Sequence, residues 1–228
     1  MIRHSKVAIL AGFLPVLAVN IAVWINMTAG LEACFPYWDG CFSVSRGIRS
    51  GPGLMVFKIL AWPAAMLMIY CWWRCGGWFL QHRQETGTRE KLIVWLGMFG
   101  AVFFLLYANW LGTQGDFYQW LRRYGVVFYF GLTMLAQLGV AAFIWNIRKI
   151  PRNSMPVKPS GFYLGVVLIS WLLGLGSAFK RKLIDNPDFL DRVENLLEWN
   201  FALMLSLTFM ALGLVFRAEE AKNKSVNH

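Results

Sequence analysis

Charge is scarce in this chain. Asp, Glu, Lys and Arg together make up 15% of its 228 residues, where a soluble domain carries about a quarter. That shortage excludes an ordinary soluble domain. Histidine is scarcer still, with only His4, His82 and His228, all of which fall in segments flanking the apolar runs or in the tails. A metal-dependent membrane hydrolase needs several His or carboxylate ligands converging inside its bundle, so that class is set aside and neither a metal nor a cofactor is expected. Cysteine is limited to two pairs, Cys34 with Cys41 and Cys71 with Cys75. The apolar run between the pairs puts them on opposite sides of a bilayer, which excludes a structural zinc site. No internal repeat is visible, and the length leaves no room for a second folded domain beside a helical bundle.

What the chain does have is apolar length. Hydrophobic residues reach 57%, with 12 Trp and 18 Phe, and the mean hydropathy is +0.48. About 20 apolar residues cross a bilayer core. Six runs meet that need, at about 7–26, 54–73, 92–112, 125–146, 161–179 and 199–216. The expected fold is an all-α polytopic membrane protein of six transmembrane helices, one bundle over residues 1–216 with a polar cytoplasmic tail at 217–228. The first run is long for a signal peptide and no A-x-A site follows it, so it is read as a retained helix. Gly97 and Gly100 allow close helix approach in the third run. Gly161 and Gly165 make a G-x-x-x-G step in the fifth, which reads as a tightly packed central helix. Ahead of the last run, Asn186, Pro187 and Asp188 carry helix-start chemistry. Phe189, Leu190, Val193, Leu196 and Leu197 then recur at helical spacing, which predicts a short amphipathic outer helix.

Basic residues orient the bundle. With the N-terminus inside, the inner segments hold 13 Lys and Arg and the outer ones 9, and with the acids counted the two sides carry +9 and +1. Arg3, Lys6, Arg74, Arg83, Arg89, Lys91, Arg148, Lys149, Arg152, Lys158, Arg217, Lys222 and Lys224 are the inner set. Both termini are therefore expected in the cytoplasm. The net charge of +10 is an orientation signal, and no nucleic-acid partner is called for. Cys34 and Cys41 then lie outside, where a disulfide would stabilise their small loop by about 2–3 kcal/mol. Cys71 and Cys75 lie inside as packing residues or palmitoylation sites. Asn26-Met27-Thr28 is a sequon set too near the membrane edge for glycosylation.

The outer ends gather polar groups. Arg46, Arg49, Arg122 and Arg123 suit a phosphate or other anionic headgroup, because guanidinium forks bind its oxygens in pairs. Lys58 stands inside the second run, where a charge costs about 2.5–3.5 kcal/mol on insertion scales. It either faces Asp116 or Glu198 or snorkels outward. Asn109 is placed to hydrogen-bond across helices. Gln114, Gln119, Tyr129 and Gln137 complete the polar set around the link between the third and fourth runs. Ser43 and Ser45, with Lys58, Asp116 or Glu198 as base, are the candidates for nucleophilic chemistry, with no spacing motif behind them.

Six spans, a Val-Ser block at Cys41–Ser45 and a last span entered through Glu198-Trp199 resemble the six-span family of the damage-regulated autophagy modulators (DRAM), the FGF-receptor-activating proteins and the suppressor-of-four-kinase proteins. That family includes a Golgi protein of GPI-lipid remodelling. Ser43, Ser45, Glu198 and Trp199 are the matched positions. The runs Leu111–Asp116 and Arg122–Gly125 look like a bacterial branch, and the short loops fit a bacterial inner membrane. The resemblance implies work on, or sensing of, membrane lipids. The reading is a multi-pass protein that handles an anionic lipid headgroup in an outward-facing polar cavity. Alternatives are a lipid-modifying enzyme of acyl transfer or hydrolysis, and an accessory subunit with a membrane protein partner.

Overall fold

The computed structural model describes residues 4–82, 87–149 and 155–226. Arg3, Arg83, Glu85, Arg152 and His228 of the sequence reading lie outside them. Among the described residues there are eight helices and no strand: α1 (His4–Thr28), α2 (Pro36–Asp39), α3 (Val44–Ile48), α4 (Gly53–His82), α5 (Thr88–Trp110), α6 (Asp116–Arg148), α7 (Val157–Leu183) and α8 (Pro187–Val226). Six of these are long and apolar enough to cross a membrane, and the chain is a multi-pass membrane protein. The helices outrun the apolar stretches, because backbone hydrogen bonding continues past the point where side chains turn polar. α6 has 33 residues and α8 has 40, about 50 and 60 Å at 1.5 Å per residue. The amphipathic segment after Asn186 runs into the sixth span, forming the first turns of α8. Asn186 Oδ1 accepts the Phe189 N–H at 3.0 Å, the cap expected there.

The long helices form a ring in the order α1, α4, α5, α6, α7, α8, closing back on α1. Small residues set how near they come. A Cβ on Gly12 would lie 2.3 Å from the Ser206 carbonyl, one on Gly53 2.1 Å from the Ala22 carbonyl, and one on Gly97 2.1 Å from the Trp72 ring. Gly100 is likewise closed by Thr133, at 2.6 Å. In hydrocarbon there is little hydrophobic drive between helices, so this backbone proximity and its dispersion contacts hold the bundle.

The fifth span departs from expectation. α7 is a peripheral helix, packed mainly on α8. A Cβ at Gly161 or Gly165 would meet nothing within 4 Å, so the G-x-x-x-G step is not a packing seam. Phe162, Leu168, Leu172 and Phe179 on this helix are exposed to the surroundings.

The start of α1 and the end of α8 lie at one end of the bundle. Ser5 donates its backbone N–H and hydroxyl to Glu220, at 3.2 and 2.8 Å. Trp78 Nε1 donates to Glu219 at 2.6 Å, and His82 stands 3.2 Å from the same carboxylate. α1, α4 and α8 are joined there. Cys71 and Cys75 are buried nearby, which leaves their thiols to packing and out of reach of acylation.

At the opposite end, the first loop folds over the bundle as α2 and α3. Cys34 and Cys41 form a disulfide around α2. Four side chains on the first turns of α8 hold this cap by its backbone. Arg192 donates to Asp39 O, Asn195 to Gly40 O, Trp199 to Phe42 O and Asn200 to Tyr37 O, all at 2.8–2.9 Å. Gly40 has φ +64° and sits where a Cβ would be 2.5 Å from the Arg192 carbonyl, so both its turn and its packing exclude a side chain. Asn26 on α1 completes the attachment. Its Nδ2 donates to Gly47 O and Ser50 O, and its Oδ1 accepts the Gly53 N–H.

Candidate functional site

The capped end contains a cleft of about 700 Å³ between α3, α5, α6 and α8. Its size is that of a small-molecule site. One wall begins at α3. Ser43 caps that helix by accepting the Arg46 N–H at 3.2 Å. The first N–H groups of a helix have no partner of their own, and here the Val44 and Ser45 N–H groups are directed toward the Glu198 carboxylate from α8. Glu198 thus faces this backbone at the cleft wall. Ser45 also accepts from Arg49 Nη2 at 3.2 Å and lies beside the Tyr107 phenol. This chain of contacts runs from α8 through α3 to α5.

The other wall is the start of α6. Asp116 opens that helix, where a carboxylate suits the positive end of the peptide dipoles. Asp116, Gln119, Arg122 and Arg123 all line the cleft. The two arginines differ in what they do. Arg122 Nη1 donates to the carbonyls of Trp110, at 3.3 Å, and of Thr113. It ties down the turn between α5 and α6, which passes through Gly112 (φ +83°) and Gly115 (φ +112°). Arg123 is exposed in the cleft and has no hydrogen bond or ion pair among the described residues. Trp120, Tyr124 and Phe130 supply apolar wall. Below Glu198 lies a mainly apolar cavity of about 60 Å³ touching Tyr37, Tyr107, Tyr129 and Trp199. Tyr37, on the cap, accepts from Asn20 Nδ2 at 2.9 Å, and burial pushes its phenol above the usual tyrosine range.

Ser45, Arg49, Asp116, Arg122, Arg123 and Glu198 are therefore brought together, and Arg46, Lys58, Asn109 and Ser43 are not. Arg46 points away from the cleft toward Asp191, at 3.9 Å with both side chains 58% exposed; such surface pairs contribute little. Lys58 makes no ion pair or hydrogen bond among the described residues, so the pairing with Asp116 or Glu198 does not form. It follows the buried Phe57 by one residue, about 100° round the helix, and its partly exposed side chain leaves the face that packs inward. Asn109 does bond across helices, accepting from Trp62 Nε1 at 3.2 Å, but outside the cleft. Ser43 is occupied as a helix cap. Among the described residues the serine hydroxyls bond only to the Arg46 N–H and to Arg49 Nη2, with no hydrogen bond to a carboxylate or amine.

Two contributors were not singled out from the sequence. Tyr107 was passed over as part of an apolar run, although a phenol among apolar residues needs a hydrogen-bond partner, and that was the available signal. Asn26 was read only as a sequon. Gln137 turns out to be internal. Its Nε2 donates to Leu205 O at 2.9 Å, and its backbone carbonyl accepts from Tyr163 OH at 3.0 Å, joining α6, α7 and α8 at mid-bundle. Among the described residues, no three His, Cys, Asp or Glu side chains gather closely enough to hold a metal ion.

Comparison of the chain with protein-family models, with curated proteins and with solved structures finds no match in any of the three.

Proposed function

We propose that this protein binds the anionic headgroup of a membrane lipid in the capped-end cleft, with Arg49 and Arg123 as its principal ligands and Arg122 beside them. Asp116 and Glu198 on the same walls keep the empty cleft from carrying a bare cluster of positive charge. The observation that carries this reading is the convergence of three guanidinium groups on one concave surface at a helix end, with Arg123 lacking any protein partner among the described residues. A guanidinium in that position suits paired hydrogen bonds to phosphate oxygens. The aromatic and aliphatic wall beside it suits the part of a lipid next to its headgroup. Ser45, engaged by Arg49 and beside Tyr107, serves better as a positioning group than as a nucleophile.

The capped end faces away from the cytoplasm in this reading, and both termini lie within it. The unequal share of Lys and Arg between the two ends supports that orientation. The short connections and the resemblance to a bacterial branch of the six-span family support an inner-membrane location. The lipid-remodelling relative in that family points to lipid handling as well.

The test is lipid retention. Protein purified in mild detergent and examined by native mass spectrometry should carry an anionic phospholipid. Arg49→Ala combined with Arg123→Ala should lower that occupancy about tenfold or more, the scale of one lost charge-assisted hydrogen bond. Arg46→Ala and Lys58→Ala should leave it unchanged. Equal occupancy in the double variant would overturn the reading.

A further inference from the structure

We infer that the lipid reaches this cleft sideways, through a slot between α6 and the α7–α8 pair, and that one acyl chain remains in the slot while the headgroup sits on the arginines. The inference rests on the headgroup reading above and adds the hydrophobic half of the ligand.

The ring of helices is uneven. α6 packs along most of α5 but meets α7 and α8 over short stretches. That seam is closed at mid-bundle, where Gln137 bonds to Leu205 and Tyr163 bonds to Gln137. Toward the capped end it parts to leave a slot of about 450 Å³. The slot and the headgroup cleft share Val127, Phe130 and Glu198 as wall, so the two spaces adjoin. Phe130 and Phe201 meet across the seam as a tilted pair with ring centroids 5.2 Å apart.

The lining is hydrocarbon-like. Met134, Leu175, Leu197 and Phe201 face the slot. Of its charged members, Lys180 and Glu194 are 3.3 Å apart, Lys180 also donates to Ser177 at 3.2 Å, and Glu198 stands at the end shared with the headgroup cleft. A chain entering the slot therefore meets a neutralised pair. Two glycines keep the space open. A Cβ at Gly131 would meet nothing within 4 Å, and one at Gly174 would meet the Met134 methyl at 3.0 Å. From Val127 to Met134 the slot descends seven residues of α6, about 10 Å. That is most of one leaflet of a hydrocarbon core about 30 Å thick. Val127 and Leu175 on its walls are 57% and 47% exposed, at a depth where the surroundings are acyl chains. An occupant that is apolar in the slot and anionic in the adjoining cleft is a phospholipid.

The experiment uses the full chain and measures retained anionic phospholipid after detergent exchange by native mass spectrometry. Gly131→Leu and Gly131→Trp fill the slot progressively without touching an arginine. Gly165→Trp, on the open face of α7, controls for a bulky residue facing lipid. Unfolding midpoints confirm that each variant is folded. Retention should fall about threefold in Gly131→Leu and tenfold or more in Gly131→Trp, and stay at the wild-type level in Gly165→Trp. Wild-type retention in a folded Gly131→Trp protein, with Arg49→Ala and Arg123→Ala together still losing lipid, would overturn the slot and leave the headgroup cleft standing. Retention unchanged in all variants would overturn both. A change of oligomeric mass in Gly131→Trp with lipid retained would assign the slot to a second copy of the chain, and would also overturn the inference.

Discussion

Asn26 occupies a place where a loop has to be held against the end of a membrane helix. Its one amide satisfies two carbonyls and one N–H from the segment 47–53. A buried backbone group left without a partner costs about 1–3 kcal/mol, and Asn26→Leu would strand three of them, of which the Ser50 carbonyl lies nearest to water. The expected loss is about 2–4 kcal/mol, read as a lowered unfolding midpoint in detergent; a midpoint equal to wild type would refute the role. The same bonds occupy the amide of the Asn26-Met27-Thr28 sequon with backbone partners. Arg122 and Arg123 make a related point, since adjacent residues of one type divide into a turn-holding group and a free one. Nothing in a pair of consecutive arginines tells them apart. The difference comes from the carbonyls that the α5–α6 turn presents to the first.

Glycine illustrates the scale of the element. Gly97→Ala would drive a methyl into the Trp72 ring, where the Cβ position is 2.1 Å away. The indole is itself buried and cannot swing clear. Overpacking of this kind costs about 1–3 kcal/mol. Gly165→Ala, in open surroundings on α7, should instead stabilise its helix by about 0.5–1 kcal/mol through backbone entropy. Parallel unfolding measurements on the two variants check this, and shifts of the same sign would contradict it. Small residues at four-residue spacing are legible in a sequence, but whether a neighbouring helix lies against them is not. Gly97 and Gly100 do meet neighbours, whereas Gly161 and Gly165 do not. Helix starts are easier to read, because a cap such as Asn186 acts within its own first turn and needs no distant partner.

For the molecule as a whole, the distribution of charge predicts orientation. Reporter fusions at both termini should behave as cytoplasmic, with folded green fluorescent protein and inactive alkaline phosphatase. A phosphatase inserted after Thr113, in the turn at the capped end, should be active. Activity at a terminus would reverse the assignment of inside and outside, and with it the leaflet from which a lipid is taken.

The sequence alone determined that this chain carries six apolar helices, where each runs to within a few turns, and which residues occupy its polar ends. These properties follow from local composition and from the length needed to cross hydrocarbon. Tertiary structure decided which of those polar residues meet. Glu198 joins Ser45 because α8 packs beside α3, and Lys58 misses both carboxylates because its face of α4 turns outward. It also decided that α7 stands at the edge and leaves a slot beside α6. Convergence of that kind depends on the rotation and neighbours of each helix, which arise from contacts between residues far apart in the chain.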